Sequence, residues 1–199
     1  MFSEEAHLVD CAGRSLEEAG ITGDLAGGTG IFVGLDGIMD RWKEEFFRGV
    51  ENDGPVGASP LIFPYTSANA LAARLTIAFG LKGQDITIAS GPLSFLKAFS
   101  YAWTLVSSGL LDRALVCGVS EDMAMTLIMG SSSGGISVRM PAEGFSDEPG
   151  GVKTVHSMSE SLRLFEETLN SVADGREGVI ELSLRDEWGS CVKVGFAEN

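Results

Sequence analysis

Few residues in this chain are equipped for nucleophilic or metal chemistry. Its three cysteines, Cys11, Cys117 and Cys191, stand far apart and form no CxxC pair. An odd number does not suit a disulfide framework, so they read as buried free thiols of a cytoplasmic chain. Two histidines, His7 and His156, are too few and too scattered for a zinc site. Gly28-Thr29-Gly30 hints at a dinucleotide fingerprint, but Val33 takes the place of the third glycine and the run enters a strand instead of leaving one. There is no GKS or GKT phosphate loop and no G-x-S-x-G motif. No cofactor and no metal are therefore expected.

One segment has the setting of a nucleophile elbow: Ser90-Gly91-Pro92-Leu93-Ser94, placed between a strand and a long helix. A nucleophile on such a turn performs acyl transfer, helped by backbone N–H groups at the helix start. Here the tip is Pro92, which has neither a nucleophilic side chain nor an N–H. Ser90 and Ser94 flank it without a histidine or acid nearby in sequence, and helix capping is their simplest role. A serine-dependent acyl-thioester hydrolase or transferase would need His7 or His156 to fold into place.

The elements that position this segment follow from periodicity. Residues 4–19 read as a helix with Leu8, Ala12, Leu16 and Ala19 on one face, stopped by Gly20. A short strand at 31–33 is followed by a helix over 37–50, a Pro/Gly-containing loop over 51–64 and a helix over 67–79. The strand 85–90 leads through Gly91-Pro92 into a helix over 93–108, and a buried strand spans 114–119. Helix then strand, twice in succession, indicates a layered mixed α/β sheet with crossover helices. Residues 131–135 read as a loop, 136–140 as a strand and 141–151 as an acidic loop. A helix over 157–173 and a hairpin over 179–196, turning at 186–190, close the chain. No linker divides it, so residues 1–199 are read as one domain.

The helix over 93–108 carries a single charge, Lys97, and is apolar on every side. Such a helix must be covered all round, by the chain's own C-terminal region, by a second copy or by a partner.

The 199 residues are 44% hydrophobic, enough for a real core. Fourteen Lys+Arg against 28 Asp+Glu leave a net charge of −14, which argues against binding nucleic acid or an anionic membrane surface. No apolar run approaches the roughly 20 residues that span a bilayer. The opening Met1-Phe2-Ser3-Glu4-Glu5 does not read as a signal peptide, which supports a cytoplasmic setting.

Residues 64–119 resemble the N-terminal half of the β-ketoacyl synthases of the thiolase-like superfamily. The likeness is carried by Pro64, by Asn69-Ala70-Leu71-Ala72-Ala73-Arg74 and by Gly80-Leu81-Lys82-Gly83. It continues without a gap from Ile86 through Ala89-Ser90-Gly91-Pro92-Leu93-Ser94 to Ser108-Gly109-Leu110-Leu111-Asp112-Arg113-Ala114-Leu115-Val116-Cys117-Gly118-Val119. Gly30-Ile31-Phe32-Val33-Gly34 fits an early strand of that family. The resemblance implies half of a thiolase fold, to which the C-terminal helix and β-hairpin are added.

It also places the family's nucleophilic cysteine at position 92. The proline there removes the thiol and an oxyanion-stabilising N–H, a donor of a kind typically worth about 3 kcal/mol of transition-state stabilisation. The resemblance places the family's two active-site histidines in a C-terminal half to which nothing here aligns, and His156 is no substitute. The implied function is a non-catalytic, chain-length-factor-like accessory subunit in fatty-acid or polyketide-type biosynthesis. The implied partners are a second copy or an active ketosynthase, met along Ile86, Thr87, Ile88 and Ala89 with Phe95. An acyl-carrier protein is a further candidate partner, for which Arg41, Lys43 and Arg48 would be the basic patch.

Overall fold

Strand β1 (Thr29–Leu35) is buried along its whole length, with β2 (Asp85–Ala89) and β3 (Arg113–Val119) parallel to it on either side. β4 (Ala124–Gly130) runs antiparallel to β3, giving the order β2-β1-β3-β4. The computed structural model describes residues 3–130, 136–139, 152–174, 179–188 and 190–198.

Both faces of the central strands are covered, which is why, after Thr29 and Arg113 at their starts, they run apolar instead of alternating. Ile31, Val33, Leu35, Leu115, Cys117 and Val119 pack toward α1 (Ser3–Glu18) and α4 (Ala70–Phe79). Phe32, Ala114 and Val116 pack on the opposite side against α5 (Ser94–Ser107) and α6 (Met158–Ala173). Beyond α5 and α6 lies a second sheet, ordered β5-β8-β7-β6 from β5 (Ile136–Arg139), β6 (Val152–Thr154), β7 (Val179–Arg185) and β8 (Cys191–Glu198). Its Leu182, Leu184, Val192 and Val194 face the helices and are buried. The result is a four-layer α/β/α/β arrangement.

This is the mixed α/β architecture expected, with the C-terminal helix and hairpin in place. Several boundaries move. The helix expected over 37–50 is α3 (Asp40–Asp53), because residues 36–39 form a turn around Gly37 at φ 70°. A one-turn helix α2 (Asp24–Gly27) precedes β1, and the loop after α3 holds two 3-10 turns, Gly54–Gly57 and Phe63–Thr66. β4 and β6 were not anticipated. The loops expected at 131–135 and 141–151 lie outside the described residues.

The chain itself covers one side of α5, where Phe95, Leu96, Ala98, Phe99, Ala102 and Val106 are buried between the first sheet, α6 and the hairpin, while Tyr101 is 45% exposed and Trp103 and Leu105 are half-buried. Phe165 of α6 meets Phe95 and Phe99 edge-on at 4.9 and 5.0 Å between ring centroids.

α5 begins in direct contact with the sheet. A Cβ added at Gly34 of β1 would stand 2.4 Å from the backbone nitrogen of Phe95, and one at Gly118 of β3 would stand 2.7 Å from its ring. Glycine at both positions is thus a steric requirement. Gly34→Ala is expected to destabilise the protein by about 2 kcal/mol or more, because backbone must move. Gly27→Ala, with nothing within 4 Å, should change stability by less than about 0.5 kcal/mol. Urea unfolding of the two variants beside the parent checks this.

Candidate functional site

The elbow leaves the end of β2, an edge strand with no second neighbour among the described residues. Ser90 is followed by Gly91 at φ 75°, a backbone conformation that glycine adopts without cost, and a 3-10 turn over Gly91–Leu93 feeds α5. Pro92 sits in the first turn, where its missing N–H leaves no helical hydrogen bond unmade. Pro92, Leu93 and Ser94 are buried.

The polar groups of the turn are used internally. Ser94 Oγ accepts the Ser90 N–H at 2.8 Å and donates to the Gly91 carbonyl at 2.7 Å. The Pro92 carbonyl accepts the Ser161 hydroxyl of α6 at 2.7 Å. Ser94 thus bridges the turn from the first position of α5, and neither it nor Ser90 makes the side-chain cap expected at the helix start. Ser90 Oγ is buried without a hydrogen-bond partner, and so is Thr87 Oγ1.

Neither histidine joins the elbow among the described contacts. His7, on α1, lines a cavity of about 360 Å3 with residues 119–124 at the end of β3. The backbone N–H of His156 donates to Glu160 at the start of α6. The structure thus brings Ser90, Gly91, Pro92, Leu93 and Ser94 together as one turn and, among the described contacts, brings neither histidine to either serine.

Above the turn stands a residue that sequence reading passed over. Trp188, in the β7–β8 turn, lies over Gly91: a Cβ at position 91 would approach its ring to 3.0 Å. The turn is pinned by buried Asp186, whose Oδ1 accepts the N–H groups of Trp188 and Ser190 at 3.1 and 2.8 Å. Trp188 is 71% exposed, and nothing local in the sequence marks it.

Beside the elbow, a cleft of about 240 Å3 is lined by Asp36, Met39, Lys43, Ala68, Ala89 and Gly91 among others. Burial holds the Asp36 carboxyl above the usual carboxylate range; the Met158 N–H opposes this, and the nearby Asp40 and Glu121 reinforce it. The N-terminus of α6 is fixed here. Ser159 bonds Ser120 at 2.8 Å and also Asp122, which additionally pairs with Arg163 at 3.2 Å. These bonds, the Ser159 hydroxyl first, hold Asp122 below its usual range.

The residues expected along a partner divide. Ile86, Thr87 and Ile88 are half-buried and Ala89 is exposed. Phe95 is not on that face: it is fully buried inside the single chain, behind β1 and β3. On an all-apolar helix the pattern has no outside from which to read the phase. The basic run on α3 is also partly engaged, with Arg41 over the Trp42 ring at 4.8 Å and Lys43 paired to Asp40 at 3.0 Å.

Cys11 and Cys117 are free, Cys117 fully buried; the side chain of Cys191 lies outside the described residues. No described helix is long and apolar enough to cross a membrane.

Residues 3–153 match the family β-ketoacyl synthase, N-terminal domain. The fold is similar to that in a ketosynthase (ApeO) in complex with its chain length factor (ApeC) from Xenorhabdus doucetiae, at 15% identity over 98% of this chain and 77% of that one, TM-score 0.67. It is similar to the ishigamide ketosynthase/chain length factor, at 14% identity over 86% and 73% of the two chains, TM-score 0.63. A third likeness is to AntDE:AntF, a type II polyketide acyl-carrier protein in complex with its ketosynthase, at 11% identity over 87% and 77%, TM-score 0.62.

Because the folded-state affinity of Asp36 for its proton exceeds that of the unfolded chain, its ionised form works against folding at neutral pH. That penalty is relieved as pH falls through the raised value toward 3.8. Asp36→Asn keeps an acceptor for Met158 without the charge. Its unfolding midpoint at pH 7 should equal or exceed the parent's, with the difference closing toward pH 4. Asp36→Ala should lose about 1 kcal/mol by orphaning that N–H. Urea midpoints across pH 4–7 test both expectations.

Proposed function

The chain belongs to the β-ketoacyl synthase N-terminal domain family, and from that membership we propose that it is a non-catalytic accessory subunit that pairs with an active ketosynthase in polyketide- or fatty-acid-type biosynthesis. The observation that carries the proposal is Pro92. The strand-to-helix elbow is intact in its backbone and hydrogen bonds, while its tip has neither a thiol nor an N–H. The turn is sealed on the inside by Ser161 and overlaid outside by Trp188.

Pairing is supported by the outer edge of β2, which has no second strand beside it among the described residues. It accords with the ketosynthase and chain length factor assemblies among the similar structures. An acyl-carrier protein is a further partner under this reading, since AntDE:AntF is an acyl-carrier protein in complex with its ketosynthase. The bases of α3 do not make a uniform patch for it, because they alternate with Asp40, Glu44, Glu45 and Glu51.

Supplied with acyl- and malonyl-carrier thioesters, the chain alone is expected to form no condensation product and no acyl adduct detectable by intact mass. Ser90→Ala and Ser94→Ala should behave as the parent. Added to an intact ketosynthase partner, it should change the distribution of product lengths. An acyl adduct abolished by either serine substitution would instead establish the serine-dependent hydrolase or transferase.

A further inference from the structure

The tip of the elbow is closed from two sides. Inside, the Ser161 hydroxyl of α6 holds the Pro92 carbonyl at 2.7 Å, and Pro92, Leu93 and Ser94 are buried. Outside, the open space nearest the tip is the cleft that has Ala89 and Gly91 in its wall. The Trp188 indole stands at that point. A Cβ added at Gly91 would lie 3.0 and 3.6 Å from two carbons of its six-membered ring, so the ring is in van der Waals range of the Gly91 backbone.

The turn that carries the indole is held at both ends. Asp186, 2% exposed, accepts the N–H groups of Trp188 and Ser190 through Oδ1, and its own N–H donates to the Ser190 carbonyl at 2.9 Å. The indole itself stays largely in water. A ring that buries little of its own area adds little to the core, yet this one is fixed over the single residue that precedes the tip. Its effect there is to cover.

We infer that Trp188 is a fixed cap over the elbow, that it closes position 92 to an approaching electrophile such as a thioester carbonyl or an alkylating reagent, and that Asp186 is the positioning residue that holds it. The elbow is thereby silenced twice: once by a tip without thiol or N–H, and once by a ring over the place where those groups would act. The inference deepens the non-catalytic reading and rests on it, but asks nothing of a ketosynthase partner.

The test puts a thiol at the tip of the full chain. Pro92→Cys is treated with iodoacetamide, and alkylation at position 92 is followed over time by peptide mass mapping. Cys117, fully buried, is the internal control for unfolding. Adding Trp188→Ala should speed alkylation at position 92 by at least about tenfold and leave Cys117 unchanged. Trp188→Phe, which keeps a ring, should retain most of the protection. Asp186→Ala should release the cap and give most of the same acceleration, whereas Asp186→Asn, which keeps an acceptor, should not. Equal rates at position 92 with and without the indole, fast or slow, would overturn the cap and leave the non-catalytic reading standing on Pro92. An acceleration that Cys117 shares would overturn it as well, since the indole would then act on stability alone. A second measurement leaves Pro92 in place. Gly91→Ala should lower the urea midpoint, and Trp188→Ala added to it should recover part of that loss. No recovery would mean that the ring does not rest on the elbow, and the cap would fall. An acyl adduct on the parent chain would instead remove the non-catalytic reading itself.

Discussion

The contact on which the rest of the structure depends is the seating of α5 on the first sheet. Gly34 and Gly118, on adjacent strands, present no side chain to Phe95. The backbone of the elbow therefore rests almost directly on the backbone of β1. That proximity fixes the height and direction at which α5 enters the core. It also aligns Phe95 and Phe99 with Phe165, so the position of α6, and through it the second sheet, follows from two absent methyl groups. Interiors pack at crystal-like density, and a seat this close does not relax around an added carbon.

With the seat fixed, the tip of the elbow is free to vary. A residue in the first turn of a helix needs no N–H for the helix itself, so proline is accommodated there without loss. Every bond that shapes the turn is made by something else: Ser94 binds the flanking backbone groups, and Ser161 binds the Pro92 carbonyl. Scaffold and chemistry are separable here because they draw on different atoms. The positive φ of Gly91 serves the turn, whereas a thiol and an N–H at position 92 would serve only a reaction.

Much of this was legible in the sequence because it is local. The strand, the Gly91-Pro92 break and the apolar helix are contiguous, and both ends of α6 and the C-terminal end of α4 follow their periodicity closely, whereas α4 starts three residues later than expected, at Ala70. Ser157 with Glu160 is a readable start signal for α6, the Ser157 hydroxyl accepting the Glu160 N–H. What was not legible depends on contacts between distant segments. β4 lacks a clean alternation, being half-buried at most positions, and is a strand because β3 offers it an edge. Trp188 is distinguished only by lying over Gly91, roughly a hundred residues earlier in the chain. Phe95 looked like an interface residue because nothing in an all-apolar helix marks which side the chain itself will cover.

The packing behind the elbow limits where an acyl chain could lie against this protein under the proposed role. Leu93, Phe95, Leu96, Phe99, Leu162 and Phe165 are all buried and in one cluster, and the described cleft beside the turn lies on its solvent side, toward Asp36, Ala68 and Ala89. A channel leading inward from Pro92 would have to displace the Phe95–Phe99–Phe165 ring cluster, at a cost of several large core side chains. The space next to β2 requires no such displacement, since Ala89 is exposed and the strand has no outer neighbour among the described residues. For the proposed accessory subunit, any effect on the length of an acyl product would therefore be exerted at the open side of β2, and not by housing the product within the ring cluster.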